Sequence, residues 1–103
     1  MATLQIVYWR DIPASIQVRK GRREKVSREL PLRFTEAIDM AAMRAGMAGT
    51  DDYLSEWRRS EPQSVADDME RVADETCAGL EDAYPKDRLV ALAGNEGREP
   101  ETA

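Results

Sequence analysis

The stretch that decides the fold is VYWRDIPASIQVRKGRREK, residues 7–25. Apolar and polar residues alternate in residues 3–9 and again in residues 15–20, which is the period of a β-strand. Between these runs, RDIPAS contains Asp and Pro, which favour a turn. The pattern predicts an antiparallel hairpin whose second strand ends at Gly21. The polar residues 22–30 (RREKVSREL) then predict a connector or a short helical turn.

Residues 31–45 contain the strongest helical pattern of the chain. Pro31 suits a first helical position, strong helix formers follow it, and Gly46 is placed to end the helix. The predicted buried stripe follows the spacing i, i+3, i+4, i+7 and i+11. Its members are Phe34, Ala37, Ile38, Ala41 and Ala45.

Residues 53–59 fit two structures. They alternate as a third strand would, but Thr50 could also cap a helix whose first turn holds Asp51 and Asp52. We favour the strand, because a two-stranded hairpin is only marginally stable without a further partner.

The remaining chain predicts two more helices and a tail. Residues 64–84 form an acidic helix capped by Ser64, and residues 85–94 form a short last helix. Residues 95–103 are polar and unpatterned, so we expect a disordered tail after a single domain of residues 1–94. The fold class that follows is α+β, with a small three-stranded, mostly antiparallel sheet packed by two to three helices.

Length and composition point to one small domain in the cytoplasm. The 103 residues contain one cysteine, Cys77, and therefore no internal disulfide. No apolar run reaches the roughly 18 residues of a membrane span, and the start lacks the charged-then-apolar pattern of a signal peptide. We therefore expect a cytoplasmic protein that does not contact membranes.

The net charge of −5 conceals an uneven distribution. Residues 1–35 carry eight basic and three acidic side chains, whereas residues 61–103 carry four basic and twelve acidic ones. Such asymmetry raises the question of a charged partner. The simpler alternative is that the acidic half folds back over the basic half and neutralises it.

Several chemistries are absent from the sequence. Without histidine there is no Ser–His–Asp or Cys–His nucleophile, no histidine zinc site and no imidazole base. No glycine-rich nucleotide fingerprint occurs, and DMAAMRAGMAGTDD lacks the acidic spacing of a calcium loop. We expect no cofactor, no metal and no stand-alone catalysis.

Three features remain as candidates for binding. They are a basic run from residue 19 to residue 25, a methionine stripe on the helix of residues 31–45, and the aromatic-plus-arginine cluster WRR. For each, a solvated or core-packing role is the alternative. Together with the YWR of the hairpin, the partner-binding candidates are Trp9, Arg10, Arg19, Lys20, Arg22, Arg23, Met40, Met43, Met47, Trp57, Arg58 and Arg59.

Three motifs in this order, YWRDIPA, AIDMAAMRAG and GTDDYLSEWRR, resemble the bacterial virulence factor domain family, which also occurs within conserved virulence factor C proteins. The resemblance covers residues 4–92. It implies an accessory protein encoded beside folate- and corrinoid-dependent one-carbon enzymes, such as methylenetetrahydrofolate reductase-like proteins. It implies no catalytic residues.

Our hypothesis from the sequence is a non-catalytic interaction module or accessory subunit with a protein partner. The alternative is nucleic-acid or anionic-ligand binding through the basic hairpin region, where Lys and Arg could neutralise phosphates and Tyr8 or Trp9 could stack on bases. The sequence pI near 4.8 argues against nucleic acid as the main partner.

Overall fold

The computed structural model describes residues 2–47 and 49–99, and within them five strands form one sheet accompanied by four helices. The strands are β1 (Ala2–Trp9), β2 (Ile12–Lys20), β3 (Glu24–Glu29), β4 (Trp57–Arg59) and β5 (Gln63–Val65). The helices are α1 (Leu32–Arg44), α2 (Asp51–Ser55), α3 (Met69–Ala83) and α4 (Lys86–Gly94).

The sheet is antiparallel at every pairing of the described strands. Its order is β3-β2-β1, and the outer edge of β1 is shared by β4, opposite residues 7–9, and β5, opposite residues 2–4. Ser60 joins the two short strands, because its N–H donates to the Ile6 carbonyl and its Oγ accepts from the Ile6 N–H, both at 2.8 Å. The predicted α+β class and the β1–β2 hairpin are confirmed, and the predicted three strands become five.

One extra strand is β3, where a connector or helical turn was predicted. That prediction is wrong because a strand at the sheet edge needs few apolar residues: β3 pairs with β2 through six residue pairs, and only Val26 packs against the core. Its charged residues suit the position, since charge on an edge strand discourages pairing with other chains. The same charges hid the strand from the hydrophobic pattern.

Residues 53–59 combine the two predicted alternatives. Thr50 precedes a single helical turn, α2, and the chain becomes extended only at Trp57. The third strand is therefore confirmed for residues 57–59 and wrong for residues 53–55.

A β-bulge in β2 determines which side chains meet in the core. Val7 lies opposite Ser15, but Tyr8 lies opposite Pro13, so β2 contains one more residue than β1 at this point. Because side chains alternate between faces, the extra residue moves Ile12 to the face of Trp9, while Ile16 stays on the face of Ile6. Pro13 fits there, since a bulge tolerates a residue without an N–H.

Two core clusters result. One lies around Trp9, Ile12 and Phe34 and is closed by α1 and α4, and the other lies around Leu4, Ile16 and Val18 and is closed by α3. Cys77 and Leu80 of α3 pack against both clusters. The hairpin therefore buries apolar residues on both of its faces, at opposite ends.

The helices follow the sequence pattern with corrections at their starts and in their buried residues. The predicted helix of residues 31–45 is confirmed as α1, although Pro31 precedes the helix and Ala42 is buried in place of Ala45. The acidic helix begins at Met69, not at residue 64, because residues 63–65 form β5 and the Asp68 carboxylate accepts from the Arg71 N–H at 3.3 Å. The predicted last helix is confirmed as α4.

Residues 95–99 pack onto the hairpin turn, which corrects the predicted disordered tail for these residues. Gly97 is buried with its carbonyl accepting from the Asp11 N–H at 2.8 Å, and the Glu99 N–H donates to Asp11 Oδ2 at 2.7 Å. Residues 100–103 of the predicted tail lie outside the described residues.

Gly97 provides a test of this packing. Its φ is +84°, and a Cβ built there would lie 2.8 Å from Cζ3 of the buried Trp9. We expect Gly97→Ala to lower the free energy of unfolding by about 2–4 kcal/mol, from the left-handed backbone and the clash together. Urea unfolding followed by circular dichroism measures it.

Gly21→Ala is the matched control. Gly21 has a similar φ of +65° but no atom within 4 Å of the added Cβ, so this variant reports the backbone effect alone, about 1–2 kcal/mol. Equal losses in the two variants would show that Gly97 does not press against Trp9.

Candidate functional site

The YWRDIP motif is an interior structure. Trp9 is fully buried, its indole Nε1–H donates to the Tyr53 carbonyl at 2.9 Å, and its ring lies 5.7 Å from that of Tyr53. Arg10 occupies the two-residue turn between β1 and β2 with a positive φ of 54° and is 8% exposed. Both were predicted to contact a partner, but neither side chain forms part of a surface.

The Arg10 guanidinium joins three segments that are distant in sequence. It donates to the Glu96 carbonyl at 2.8 Å, to the Met47 sulfur at 3.2 Å and to Glu56 Oε1 at 3.3 Å, the last being an ion pair. The Arg10 N–H also donates to the Glu56 carbonyl at 3.2 Å. A buried charge needs such partners, so this turn holds the α1–α2 connection, the residue before β4 and the C-terminal segment together.

Two further candidates belong to the same cluster. Met47 is half-buried beside Arg10, so it does not continue the exposed methionine stripe. Arg58 donates from Nε to the Arg10 carbonyl at 3.0 Å, lies 3.6 Å from Asp11 Oδ1, and stacks 4.5 Å from the centre of the Tyr8 ring. Its guanidinium is thus occupied by internal contacts.

The basic residues divide into two groups by sheet face. Lys20 pairs at 3.7 Å with Asp67, which lies just before α3. Arg28 lies 3.5 Å from Asp74 and 3.9 Å from Glu70, both in α3. The acidic half therefore neutralises part of the basic half, as the simpler alternative predicted. These pairs are exposed and contribute at most about 1 kcal/mol each.

The other basic candidates lie on the opposite face of the sheet or in the β2–β3 turn. Arg19 and Arg59 are exposed on strands, and Arg22 and Arg23 are exposed in the β2–β3 turn. None of these four forms an ion pair with the described residues. Trp57 is half-buried: it meets the Tyr53 ring edge-on at 6.1 Å and packs against the first core cluster, while part of its ring faces outward.

Met40 and Met43 of the predicted methionine stripe form an exposed surface on α1. Met40 is 44% exposed and Met43 63% exposed, one helical turn apart on α1. Met40 lines the groove between α1 and α4 together with Val90, and Met43 lines a depression of about 380 Å³ beside Tyr53. We call Met40, Met43 and Val90 the helical apolar surface.

The pKa values of one thiol and two phenols are raised, which favours their protonated forms. Burial raises the pKa of the Cys77 thiol, and the nearby Glu81 carboxylate adds to the effect. Burial likewise raises the pKa of Tyr84, opposed by Arg88, and that of Tyr53, to which Asp39 adds. These groups remain neutral at physiological pH, which is the less nucleophilic state of a thiol or phenol.

The described part of the chain contains neither a metal-binding cluster nor a membrane-spanning helix. No group of three or more His, Cys, Asp or Glu side chains is arranged to hold a metal ion. None of the helices in residues 2–47 and 49–99 has the length and apolar character needed to cross a membrane.

The geometry defines a small α+β domain with a buried arginine at its hairpin turn and two exposed surfaces. The sequence matches the family described as Virulence factor over residues 7–93, so the chain belongs to that family and the resemblance seen in the motifs is confirmed. No curated protein and no solved structure matches the chain.

Sequence reasoning missed Glu56, Glu96, Gly97 and Asp11 as partners of the turn. Asp11 stood out only as a turn-forming residue of RDIPAS, and Gly97 only as part of a polar tail. The one available signal was an arginine between two apolar strands, because a charged residue there requires a counter-charge from elsewhere.

The role of Arg10 can be tested by removing its guanidinium. We expect Arg10→Ala to lower the free energy of unfolding by about 3–5 kcal/mol, because it breaks a buried ion pair and the hydrogen bonds to the Glu96 carbonyl and the Met47 sulfur. Arg59→Ala removes the same group from an exposed strand position and should change stability by no more than about 0.5 kcal/mol. Similar losses in both variants, measured by urea unfolding, would contradict the assignment.

The Cys77 thiol should react slowly. Since its raised pKa and partial burial lower the exposed thiolate at neutral pH, we expect iodoacetamide to modify the native chain at least about 10-fold more slowly than the urea-unfolded chain. Because the pKa is raised, the native rate should still be rising with pH where the rate of the unfolded chain has begun to level off. Mass spectrometry between pH 7 and 9.5 measures both rates, and a native rate equal to the unfolded rate would contradict the shift.

Proposed function

We propose that this domain is a non-catalytic protein-interaction module that acts as an accessory subunit in the cytoplasm. The observation that carries the proposal is the helical apolar surface, where two unbranched, adaptable methionines and a valine are exposed beside two depressions. Exposed methionines of this kind suit contact with a partner protein. The protonated state of Cys77, Tyr53 and Tyr84 fits a role without nucleophilic chemistry.

The surface suits a helix of the partner. α1 and α4 lie side by side, and the groove between them has an apolar floor of Ala37, Leu89 and Ala93 below Met40 and Val90. An amphipathic helix lays its apolar face in such a groove, with anchors one turn apart. Arg33, Glu36 and Lys86 line the same groove and offer both signs of charge for a polar rim.

The class of partner we propose is a folate- or corrinoid-dependent one-carbon enzyme, such as a methylenetetrahydrofolate reductase-like protein. The family resemblance supports this class, and the exposed apolar surface supports docking of a protein. The two parts are separable, since the same surface would serve another protein with an exposed amphipathic helix.

The test uses Met40→Lys/Met43→Lys. Glu36 and Asp39 lie four residues before these positions, so each lysine gains an acidic neighbour on α1 and the helix is preserved. We expect the double variant to bind a purified one-carbon enzyme encoded beside this gene at least about 100-fold more weakly, because two anchors become charged. Isothermal titration calorimetry measures it.

Leu32→Lys is the matched control. Leu32 is 70% exposed on the same helix but lines the depression beside Trp57 on the sheet side, so its change should leave binding intact. Binding that survives the double methionine variant would contradict the proposed surface. If no one-carbon enzyme binds, and tagged native chain recovers no protein from its own cytosol that the double variant fails to recover, the interaction module itself is contradicted.

A further inference from the structure

One face of the sheet carries Trp9 and Ile12 under α1 and α4 at one end, and beyond that end no helix of the described structure covers it. Alternation along the strands and their register place one set of side chains on this uncovered part, and none of them is buried. We call this set the open face: Thr3, Gln5, Val7, Ser15, Gln17, Arg19, Lys25, Ser27, Glu29 and Arg59.

Strand pairing gathers basic residues on the open face from three strands. Arg19 on β2 lies directly opposite Lys25 on β3, and Arg59 on β4 lies opposite Val7 on β1. The β2–β3 turn adds Arg22 and Arg23 at the same end as Arg19. From the spacing of strands and residues, Lys25 and Arg59 are about 20 Å apart, which gives a basic track across the sheet.

These five cations lack ionic partners among the described residues, unlike those of the opposite face. Lys20 and Arg28 point towards α3 and use Asp67, Glu70 and Asp74. On the open face the strands present one acidic side chain, Glu29, opposite Ser15 at the far end from Arg19. The fold thus separates charge by face, although the whole chain is acidic.

The net negative charge does not prevent an anion from binding there. The α3 acids lie on the other side of the sheet, about 10 Å away, and charges separated by more than about 8 Å are largely screened at physiological ionic strength. A phosphate at the open face therefore responds mainly to the local arginines and lysine.

An aromatic ring adjoins this track. Trp57 lies beside Arg59 on β4 and lines a depression of about 440 Å³ with Val7, Ser15 and Gln17. A partly exposed indole next to arginines on an open sheet is the arrangement on which unpaired bases stack. A duplex is a poorer fit, because its bases are already paired and stacked and cannot lie against the indole.

We propose that the open face binds single-stranded nucleic acid, with phosphates on Arg19, Lys25, Arg59 and the β2–β3 turn and a base against Trp57. An acidic protein segment would satisfy the cations but leave the indole and its depression without a matching group. This site is separate from the helical apolar surface and does not depend on it.

The experiment is a salt titration of a fluorescein-labelled 12-nucleotide oligo(U) or oligo(dT) with the full chain. The logarithm of the binding constant falls linearly with the logarithm of the salt concentration, with a slope of about −0.7 for each phosphate contact on a single strand. Five contacts therefore predict that affinity falls about 100-fold between 50 and 200 mM salt. Arg19→Gln/Lys25→Gln/Arg59→Gln leaves two contacts and should lower this dependence to about 7-fold. Tryptophan fluorescence should be quenched on binding, and because Trp9 is buried the quenching reports Trp57.

The control variant Arg44→Gln/Arg71→Gln/Lys86→Gln changes the net charge equally, but on the helices, and should bind like the wild type. No binding of either oligonucleotide at 20 mM salt would overturn the proposal. So would equal weakening by both triple variants, or tighter binding of poly-glutamate without tryptophan quenching, which would assign the face to an acidic protein.

Discussion

The buried guanidinium of Arg10 is the constraint on which the rest of the structure depends. A charge in this position is tolerated only if acceptors surround it, and the chain supplies them from Met47, Glu56 and Glu96. Each comes from a segment distant in sequence from the hairpin turn. The hairpin turn therefore organises the α1–α2 connection, the entry to β4 and the C-terminal segment, while the bulge beside it lets Trp9 and Ile12 fill one core cluster and leaves Ile16 to the other.

This arrangement separates the motif that marks the family from the surfaces available for binding. YWRDIP lies inside the region that the Virulence factor family model matches, and its Trp9 and Arg10 are interior. The exposed candidates lie on two sides of the molecule: Met40, Met43 and Val90 on the helices, and the arginines of the open face on the sheet. A domain with one apolar and one basic surface can contact two partners without either competing for the same residues.

Periodic segments could be predicted from the sequence, and contacts between distant polar residues could not. The hairpin, α1 and α4 followed directly from alternation and from helical spacing, because burial of an apolar face imposes those periods. β3 was hidden because an edge strand needs little apolar surface, and the start of α3 was misplaced because Ser64 and Asp68 are both acceptable caps. For the binding candidates, composition identified the arginines, but only the register shows that Lys25, Arg19 and Arg59 share a face while Lys20 and Arg28 do not.

The central claim, that the Arg10 turn is a structural junction fastened to the C-terminal segment, is tested most directly by native-state amide hydrogen exchange. The informative amides are those of Asp11, which donates to the Gly97 carbonyl, and Glu99, which donates to Asp11 Oδ2. If the junction holds, both exchange only through openings close in free energy to global unfolding, although Glu99 lies near the end of the chain. Exchange of Glu99 at the rate of an unstructured residue, with Asp11 protected only weakly, would contradict the account.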